Sequence, residues 1–501
     1  MTHLWQFHGG VKPDGHKSLS NQTPIVQADI PPFLVLPLLQ HIGEPAEPIV
    51  HIGDKVLKGQ IIAHCHAYDC SVLLTVPIHA SSSGTVVAIE PRPVPHPSGL
   101  TALCIVIETD GQDTWTKCKP LADYSALPSR IVREYIARAG IVGLGGAGFP
   151  AHIKLKPEDI DTLIINGAEC EPYITCDDRL MRERPDDIIA GALIIKHVLG
   201  GAKHCVIVVE DNKPAAYQSL LEAAQGQVEV VKVPTMYPTG GEKQLIQVLT
   251  GKELGRTYLP ASIGIVLHNV ETTRAVYRAV QLGQPLVSRT MTVTGGGVEK
   301  PQNLEVLLGT PMQFLINQCG RKPGIEKLIM GGAMMGFALP NDELPIVKTT
   351  NCLIVSGADE IATPPLPMPC IRCGACAEVC PINLLPQQLY WHAKAKDFQK
   401  AQDYHLFDCI DCGCCAYVCP SHIPLVSYYR YAKAQIRANE RERKTADIAR
   451  QRHEFRAFRV ERDKAEKRAR LKQIKLASEQ SREAAIKAAV ERANAKKVQS
   501  E

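Results

Sequence analysis

Eight of the 18 cysteines in this 501-residue sequence form two runs with the same spacing, C-x2-C-x2-C-x3-C-P. Cysteine thiolates are soft ligands that select transition-metal centres, and a fixed spacing determines how several of them converge. The two runs, residues 370–381 and 409–420, contribute Cys370, Cys373, Cys376, Cys380, Cys409, Cys412, Cys415 and Cys419. The sequence therefore predicts metal chemistry in this short segment.

This spacing is the bacterial ferredoxin pattern for [4Fe–4S] clusters, in which the fourth cysteine of each run ligates the cluster of the other run. On that rule one cluster takes Cys370, Cys373, Cys376 and Cys419, and the other takes Cys409, Cys412, Cys415 and Cys380. Zinc usually takes paired C-x2-C units, and disulfide frameworks suit small secreted domains. Two complete runs, each closed by a proline, favour two iron–sulfur clusters over both alternatives. Cys414, inside the second run, is interpreted as a packed residue.

The overall composition is that of a soluble globular protein, with 45% hydrophobic and 22% charged residues. The length allows three or four domains of ordinary size. No apolar run is long enough to cross a bilayer, and the N-terminus lacks the apolar segment of a signal peptide. We therefore expect no transmembrane helix and a location on the cytoplasmic side, where cysteines stay reduced.

The last part of the chain, residues 431–501, is rich in Ala, Glu, Lys and Arg and contains neither Gly nor Pro. This composition predicts a charged helical tail. From Arg430 onwards the chain contains 22 Lys and Arg but only 11 Asp and Glu. This excess of positive charge suits contact with an acidic partner surface or with anionic lipid headgroups. No groove-reading motif accompanies the charge, and no nucleic acid is expected as a partner.

The rest of the chain changes pattern several times. Residues 1–34 are polar and predict an extended arm. Residues 35–115 alternate short apolar runs with glycine turns, which predicts a small β-sandwich. Its two halves resemble a biotinyl/lipoyl-type domain, but no lysine lies at the hairpin tip, so no swinging cofactor is expected. Residues 125–288 alternate strand and helix signals and predict an α/β domain with a largely parallel sheet. Residues 366–430 predict a helical domain around the cysteine runs.

A glycine-rich loop lies inside the α/β segment, in the stretch GLGGAGFP, and contains Gly143, Gly145, Gly146 and Gly148. Such a density of glycines lets backbone N–H groups approach a phosphate without side chains in the way. The spacing does not follow the dinucleotide fingerprint. Taken alone, the loop predicts a phosphate-bearing cofactor or a tight turn equally well.

Three further stretches place polar residues at element ends, where α/β proteins usually bind ligands. INGAECEP contributes Asn166 and Glu169 after a strand. YPTGGEK contributes Gly241 and Glu242 at the start of a helix, whose N-terminus favours anions. HNVETT contributes Asn269 after another strand. Without a family resemblance, the glutamates favour a solvated strand end with ordinary salt bridges over a ligand site.

In this order, GLGGAGFPAHIKL, NGAECEP, PTGGEKQLI and HNVETT resemble the flavin- and NADH-binding subunit of respiratory complex I. The resemblance implies that the FMN phosphate and ribityl chain lie at Gly143, Gly145, Gly146, Gly148 and Lys154. It also implies that the flavin and nicotinamide are surrounded by Asn166, Glu169, Gly241, Glu242 and Asn269. The chain departs from that family at Leu144, Ala168 and Lys243, where arginine, aspartate and glutamate are usual.

The complete domain order resembles the C subunit of the Rnf/Rsx family of bacterial ion-translocating ferredoxin:NAD oxidoreductases. The resemblance implies a multidomain fold, α/β plus β plus α: a lipoyl-like β-sandwich, an FMN-binding α/β domain, a β-grasp module at residues 289–355, a two-[4Fe–4S] ferredoxin domain and the helical tail. It implies a peripheral subunit on the cytoplasmic face of the inner membrane. Its expected partners are membrane-embedded and peripheral subunits, NAD(H) and a ferredoxin-like carrier.

The implied activity is electron transfer between NADH, FMN and the two clusters, with the cofactors rather than any catalytic side chain performing the chemistry. Two alternatives remain open at this point. The chain could be a relay and docking subunit that holds clusters without its own NADH chemistry. It could also belong to a complex that keeps a redox-sensing transcription factor reduced.

Overall fold

The computed structural model of the chain describes residues 3–64, 74–97, 99–156, 159–256, 258–357, 360 and 366–498. It divides into two compact units, residues 1–429 and residues 430–501. Among the described residues, no helix combines the length and apolarity needed to span a bilayer.

The N-terminal part is built of β-strands. In chain order they are β1 (Val26–Gln27), β2 (Phe33–Pro37), β3 (Glu47–Pro48), β4 (Lys55–Val56), β5 (Ile61–His64), β6 (Ile78–His79), β7 (Gly84–Pro93) and β8 (Thr101–Thr109). Strands β2–β8 form two antiparallel sheets, in the orders β2-β8-β7-β4 and β3-β5-β6. Alternate residues such as Leu34, Leu36 and Ile105 point into a common core. The small β-sandwich expected from the alternating pattern is present.

The next part is an α/β domain. Its helices are α1 (Ser129–Arg138), α2 (Ala151–Lys154), α3 (Cys176–Glu183), α4 (Pro185–Val198), α5 (Pro214–Ala224), α6 (Glu242–Thr250) and α7 (Val270–Leu282). Its strands are β9 (Thr162–Gly167), β10 (His204–Glu210), β11 (Glu229–Val233) and β12 (Ile265–Asn269). Proline opens α4 and α5 at the first helical position, where its missing N–H breaks no helical bond.

The four strands form one sheet in the order β11-β10-β9-β12, and every pairing is parallel, as the sequence predicts. Helices cover both faces, which is why β10 is a continuous run of buried valine and isoleucine. The chain moves outward from β9 to β11 and then returns to the other side of β9 as β12. The strand order therefore reverses between β9 and β12, and the region beyond their carboxyl ends, called here the crevice, is where α/β proteins usually bind ligands.

A mixed sheet follows. It contains β13 (Ser288–Thr294), β14 (Gln302–Leu307), β15 (Ile325–Met330), β16 (Phe337–Ala338) and β17 (Cys352–Gly357), with helix α8 (Met312–Gln318) packed on one face. The strand order is β1-β14-β13-β17-β15-β16. Strand β1, which belongs to the N-terminal arm, pairs in parallel with β14 and completes the edge. The sequence predicts the arm to be extended but does not indicate this pairing.

The cysteine runs lie in a small helical region. Its helices are α9 (Ala375–Glu378), α10 (Pro386–Lys394), α11 (Phe398–Asp403), α12 (Cys414–Tyr417) and the start of α13 (Leu425–Val498). The two runs have nearly the same backbone: φ is +58° at Arg372 and +56° at Asp411, and +85° at both Gly374 and Gly413. The repeated sequence therefore folds into a repeated loop.

In the second unit, α13 is continuous through Val498, as predicted for the tail. Every side chain from residue 439 to residue 495 is exposed. Its apolar residues do not line up on one face, so the helix has no seam for a coiled coil.

Candidate flavin and iron–sulfur sites

The glycine-rich loop joins α1 to α2 and is closed by its own backbone. The N–H of Gly143 donates to the carbonyl of Phe149 at 2.8 Å, and the N–H of Gly148 donates to the carbonyl of Gly143 at 3.0 Å. Gly146, with φ +104°, has open space where a side chain would start. The loop is therefore a tight turn, and its surface at Gly146 is free of side chains, as the approach of a phosphate would require.

Leu144 explains one departure from the complex I pattern. Its side chain is buried, its N–H donates to Thr272 Oγ1 at 2.9 Å, and its carbonyl accepts from Arg289 at 3.1 Å. Since Thr272 lies on α7, these bonds fix the loop to the helix that follows β12. The buried Leu144 side chain thus holds the loop against the domain, and the exposed side of the loop is formed by glycines.

Two asparagines stand opposite each other where the strand order reverses, because Asn166 pairs with Asn269 in the β9–β12 register. Asn166 donates to the carbonyl of Gly240 at 2.9 Å. Asn269 caps α7 by accepting from the N–H of Glu271 at 2.9 Å, and it donates to Asp177 at 2.7 Å. A Cβ added to Gly145 would lie 3.2 Å from the Asn269 side chain, so the loop closely approaches this edge.

Glu169 lies at the same edge and is almost fully buried. One carboxylate oxygen accepts from the N–H of Asp177 at 2.8 Å, while Oε2 has no hydrogen-bond partner and lies 3.7 Å from Lys17 Nζ. Burial raises the pKa of Glu169 to about 8 and that of Asp177 to about 6. The site therefore holds a carboxyl group that is largely protonated near neutral pH.

Lys17, from the N-terminal arm, was not indicated by the sequence. Its ammonium group donates to three backbone carbonyls, those of Glu169, Glu171 and Ile174, at 2.6–2.8 Å. These bonds hold the segment after β9 in place, so the arm is a structural part of the site.

A group of three side chains, Glu169, Cys176 and Asp177, has ligand atoms within 4.8 Å of one another. Burial also raises the pKa of the Cys176 thiol well above its usual range. The Cys176 thiol contacts the carbonyl of Asn351 at 3.5 Å and Asp177 accepts from Asn269 at 2.7 Å, so two of the three side chains already have partners within the protein.

Lys154 and Glu242 meet across the crevice at 2.5 Å. Glu242 opens α6 directly after Gly241, and Lys154 ends α2, the helix that follows the glycine loop. Lys243, another departure from the complex I pattern, instead donates to the carbonyl of Gly255. The crevice thus brings together all the residues assigned to it by resemblance: Gly143, Gly145, Gly146, Gly148, Lys154, Asn166, Glu169, Gly241, Glu242 and Asn269.

The eight cysteines of the repeated loops line two cavities. The cavity called here the outer cluster site is lined by Cys370, Cys373, Cys376 and Cys419. The inner cluster site is lined by Cys380, Cys409, Cys412 and Cys415. Each cavity thus combines three cysteines of one run with the fourth of the other, which is the exchange expected for two-cluster ferredoxins.

The chemistry of these cysteines suits iron–sulfur clusters. All described cysteines are free thiols, which argues against a disulfide framework. Burial raises the pKa of Cys376, Cys380 and Cys415, so thiolates at these positions need a nearby cation, and the irons of a cluster supply that charge. Cys414 is fully buried beside Cys412 in the wall of the inner site, in keeping with a packed residue.

The inner cluster site is attached directly to the flavin-type domain. The hydroxyl of Tyr237, four residues before Gly241, donates to the carbonyl of Cys412 at 2.6 Å, and the bond is buried. The arm contributes a bond from the N–H of Gly10 to the carbonyl of Val379 at 3.0 Å and a contact between His8 Nδ1 and the Cys380 carbonyl at 2.9 Å. No pattern in the sequence indicates any of these contacts.

A flavin-type α/β domain joined to a domain with two sets of four cysteines defines a modular electron-transfer protein. Family models agree: residues 136–278 match the Nuo51 FMN-binding domain, and residues 369–423 match the 4Fe-4S dicluster domain. These matches confirm the FMN and [4Fe–4S] predictions. Residues 5–112 match the RnfC barrel sandwich hybrid domain, and residues 290–338 match the SLBB domain.

Curated relatives identify the family. The chain is 49% identical to the C subunit of an ion-translocating oxidoreductase complex from Vibrio cholerae over 99% of its length, and it covers 65% of that relative. It is 44% identical to the corresponding protein of Salmonella arizonae, of which it covers 73%, and 47% identical to that of Pseudomonas aeruginosa, of which it covers 60%. The chain belongs to this family, the C subunits of ion-translocating oxidoreductase complexes, as the sequence predicted.

The chain spans just under two thirds of the length of the Vibrio cholerae relatives. Among solved structures, an NAD+-reducing [NiFe]-hydrogenase matches at 17% identity with a TM-score of 0.46, covering 63% of this chain and 65% of that one. That similarity is too low to support a functional argument.

Proposed function

We propose that the chain is a peripheral subunit of a membrane-bound, ion-translocating electron transport complex and moves electrons between NAD(H), FMN and two [4Fe–4S] clusters. The observation that carries the proposal is the Tyr237–Cys412 hydrogen bond, because it joins the flavin-type crevice to one of the two cysteine sites. The proposed path of the electrons then runs from the flavin crevice to the inner cluster site and on to the outer cluster site, all within the unit of residues 1–429.

FMN exchanges two electrons with a nicotinamide and single electrons with clusters, and this is the chemistry it supplies when bound. Residues 145–147 of the loop offer backbone N–H groups to its phosphate, because Gly143, Leu144 and Gly148 already donate theirs within the protein, and Lys154 offers a positive charge nearby. Asn166 and Asn269 fix the backbone around the crevice through their hydrogen bonds. Glu169 holds a proton at its carboxyl group near neutral pH, in a position shielded from water.

The eight cysteines hold the two clusters in the crossed arrangement. Cys370, Cys373, Cys376 and Cys419 hold the outer cluster, and Cys380, Cys409, Cys412 and Cys415 hold the inner one. The proposed partners are the other subunits of the complex and a ferredoxin-like carrier, in keeping with the names of the relatives. The proposed location is the cytoplasmic face of the bacterial inner membrane, where the basic tail suits contact with anionic surfaces.

The test is made on anaerobically purified full-length protein. We expect about eight irons, matching acid-labile sulfide and about one FMN per chain, as two [4Fe–4S] clusters and one flavin require. Addition of NADH should bleach the flavin absorbance and produce the EPR signals of reduced clusters. Protein that binds FMN but gives neither response to NADH would contradict the nicotinamide part of the proposal.

A matched pair of variants ties the flavin to the crevice. Gly145→Val places side-chain atoms against Asn269 and should abolish FMN binding. Gly255→Val is the control, because an added Cβ there meets only Tyr258 at an ordinary contact distance. Equal FMN content in both variants would show that the flavin lies elsewhere.

One observation favours the simpler relay function as a second candidate. Lys154, the expected phosphate partner, is already paired with Glu242 at 2.5 Å, so a bound phosphate has to compete with a carboxylate. A protein with only this relay function would contain eight irons and no flavin, and its clusters would stay oxidised in NADH.

A further inference from the structure

Two fully buried cations lie where the β-sandwich, the α/β domain and the mixed sheet meet next to the glycine-rich loop. They are Arg289, on β13, and Lys348, which shortly precedes β17, and each is 1% exposed. Lys348 Nζ donates to the carbonyl of Gly140 at 2.7 Å and to that of Pro77 at 3.1 Å. One ammonium group therefore ties the mixed sheet both to the segment that leads into the loop and to the β-sandwich.

Arg289 holds the loop at a second point. Its guanidinium group donates to the carbonyl of Leu144 at 3.1 Å and to the carbonyl of Lys348 at 2.6 Å, so the loop and Lys348 share one partner. A third contact comes from the β-sandwich, where the N–H of Ile42 donates to the carbonyl of Gly148 at 2.9 Å. Donors from other domains thus fix the loop through its carbonyls at both of its ends.

Lys348 has no carboxylate partner among the described residues, since both hydrogen bonds of its ammonium group go to carbonyls. Burial lowers its pKa to about 7. The other titratable groups that face it are Arg289, which stays charged, and the imidazoles of His41 and His79. Burial, reinforced by the Lys348 charge, lowers the pKa of His41 to about 4 and that of His79 to about 3, so both rings are neutral near pH 7. A buried ammonium group without a counter-ion is costly, and an anion bound nearby removes that cost.

The loop beside Lys348 has the properties of an anion site. Its residues 145–147 use their N–H groups in no hydrogen bond within the part of the chain that the structure describes. Lys154, the cation expected at the phosphate, is paired with Glu242 at 2.5 Å. A phosphate monoester carries close to two negative charges at neutral pH, which is more than Lys154 neutralises while it stays in that pair.

We propose that Lys348 is a positioning residue for the phosphate of FMN: it holds the glycine-rich loop in place and supplies a buried positive charge that the bound phosphate neutralises. Lys348 does not touch the cofactor, because its donors are occupied by the two carbonyls. Since the phosphate favours the charged form of Lys348, binding of FMN above pH 7 takes up a proton from solvent at Nζ. This inference rests on the proposed function for the presence of FMN at the loop.

The experiment compares FMN with riboflavin, which lacks the phosphate, on the cluster-loaded full chain after its flavin has been removed. Calorimetry at pH 8 in buffers of different ionisation enthalpy gives the Kd and the number of protons taken up. At this pH the phosphate is already a dianion, because its second pKa is about 6. We expect FMN to take up more protons than riboflavin, by up to about one per chain. Glu169, whose pKa is about 8, contributes equally with both flavins, because they differ only in the phosphate.

Substitutions separate the charge from the packing. Lys348→Met removes the charge and should raise the Kd for FMN about tenfold or more, as loss of a charge-assisted interaction does, with little change for riboflavin. The additional proton uptake should disappear. Lys348→Arg keeps a permanent charge and should retain the preference for FMN without the proton uptake. Lys58→Met is the control, because Lys58 is also buried but is paired with Asp113 in the β-sandwich, and it should change neither Kd nor proton uptake.

The unmodified chain alone tests the proposal if Lys348→Met does not fold or does not load its clusters. Equal proton uptake with FMN and riboflavin in the unmodified chain would overturn it. An unchanged ratio of the two Kd values in an intact Lys348→Met would overturn it as well, including the case in which both flavins bind equally more weakly. A chain that binds neither flavin would instead contradict the proposed function, so the two failures are distinguishable.

Discussion

The hydrogen bond from Tyr237 to the Cys412 carbonyl should determine how tightly the inner cluster loop is held against the flavin-type domain. Tyr237→Phe removes the hydroxyl and leaves a buried carbonyl oxygen without its donor. An unsatisfied buried group of this kind costs about 1–3 kcal/mol. If the loop opens locally, this cost makes the open state about 5- to 150-fold more populated.

Hydrogen–deuterium exchange measures that population directly. In Tyr237→Phe, peptides covering residues 409–417 and 8–12 should exchange faster by this factor, because both segments contact the tyrosine or its neighbours. Peptides of the parallel sheet, such as residues 204–210, should keep their protection. The measurement requires cluster-loaded protein and intact iron content in the variant.

Tyr429→Phe provides a closely matched control. The Tyr429 hydroxyl donates to the Pro386 carbonyl, also at 2.6 Å and also buried, but both partners lie within the cysteine-containing region. Exchange in this variant should increase near residues 384–389 and leave residues 8–12 unchanged. Equal exchange at residues 409–417 in Tyr237→Phe and unmodified protein would refute the role assigned to the bond.

Three further outcomes are expected. Glu169 has a pKa of about 8 in the folded chain against an ordinary 4.5, so between these pH values folding takes up a proton. The free energy of unfolding should therefore fall as pH rises from 4.5 to 8, by up to about 4 kcal/mol. Chemical denaturation across this range should show the slope, and Glu169→Gln should flatten it. Cys419→Ser should remove the outer cluster alone, leaving about four irons by analysis and one EPR signal. Lys154→Met should weaken FMN binding about tenfold, because a charge-assisted contact is lost, whereas Lys243→Met should leave it unchanged. Titration followed by flavin fluorescence measures both affinities.

Each of these outcomes has a contrary result. Identical pH slopes in Glu169→Gln and unmodified protein would place the proton elsewhere. The double variant Cys370→Ser/Cys419→Ser should lose no more iron than Cys419→Ser, since both residues serve the outer cluster. Loss of both clusters in the double variant would mean that each run ligates its own cluster. Equal flavin affinities in Lys154→Met and Lys243→Met would remove Lys154 from the phosphate site.

The features that the sequence predicts correctly are local ones. The cysteine spacing encodes each loop within about ten residues, so the [4Fe–4S] chemistry could be expected before any coordinates, while the exchange of fourth ligands stays a prediction. The alternation of apolar strands and amphipathic helices likewise encodes the parallel sheet. Asn166 and Asn269 were found because each ends a strand, and parallel strands bring such ends to one edge.

The features that the sequence does not reveal join distant positions. Lys17 reaches Glu169 across 152 positions, and Tyr237 reaches Cys412 across 175. A lysine in a polar arm and a tyrosine before a proline carry no local pattern that identifies such partners. The pKa of Glu169 was equally hidden, because burial of a carboxyl group depends on the packing of the whole edge.

The N-terminal arm is synthesised long before several of the segments that it contacts in the folded chain. Val26 leaves the ribosome first, but its partner in the sheet, Leu304, follows 278 residues later. At about 5–20 residues per second, the arm waits roughly 15–55 s for that strand, and longer for the carbonyls of Val379 and Cys380 that Gly10 and His8 contact. Lys17 finds the carbonyls of Glu169 and Ile174 well before that strand is made, whereas Gly10 and His8 find their partners only after most of the first cysteine run has been made. The arm therefore docks in steps, and its contacts with the inner site are the last of these steps to become available.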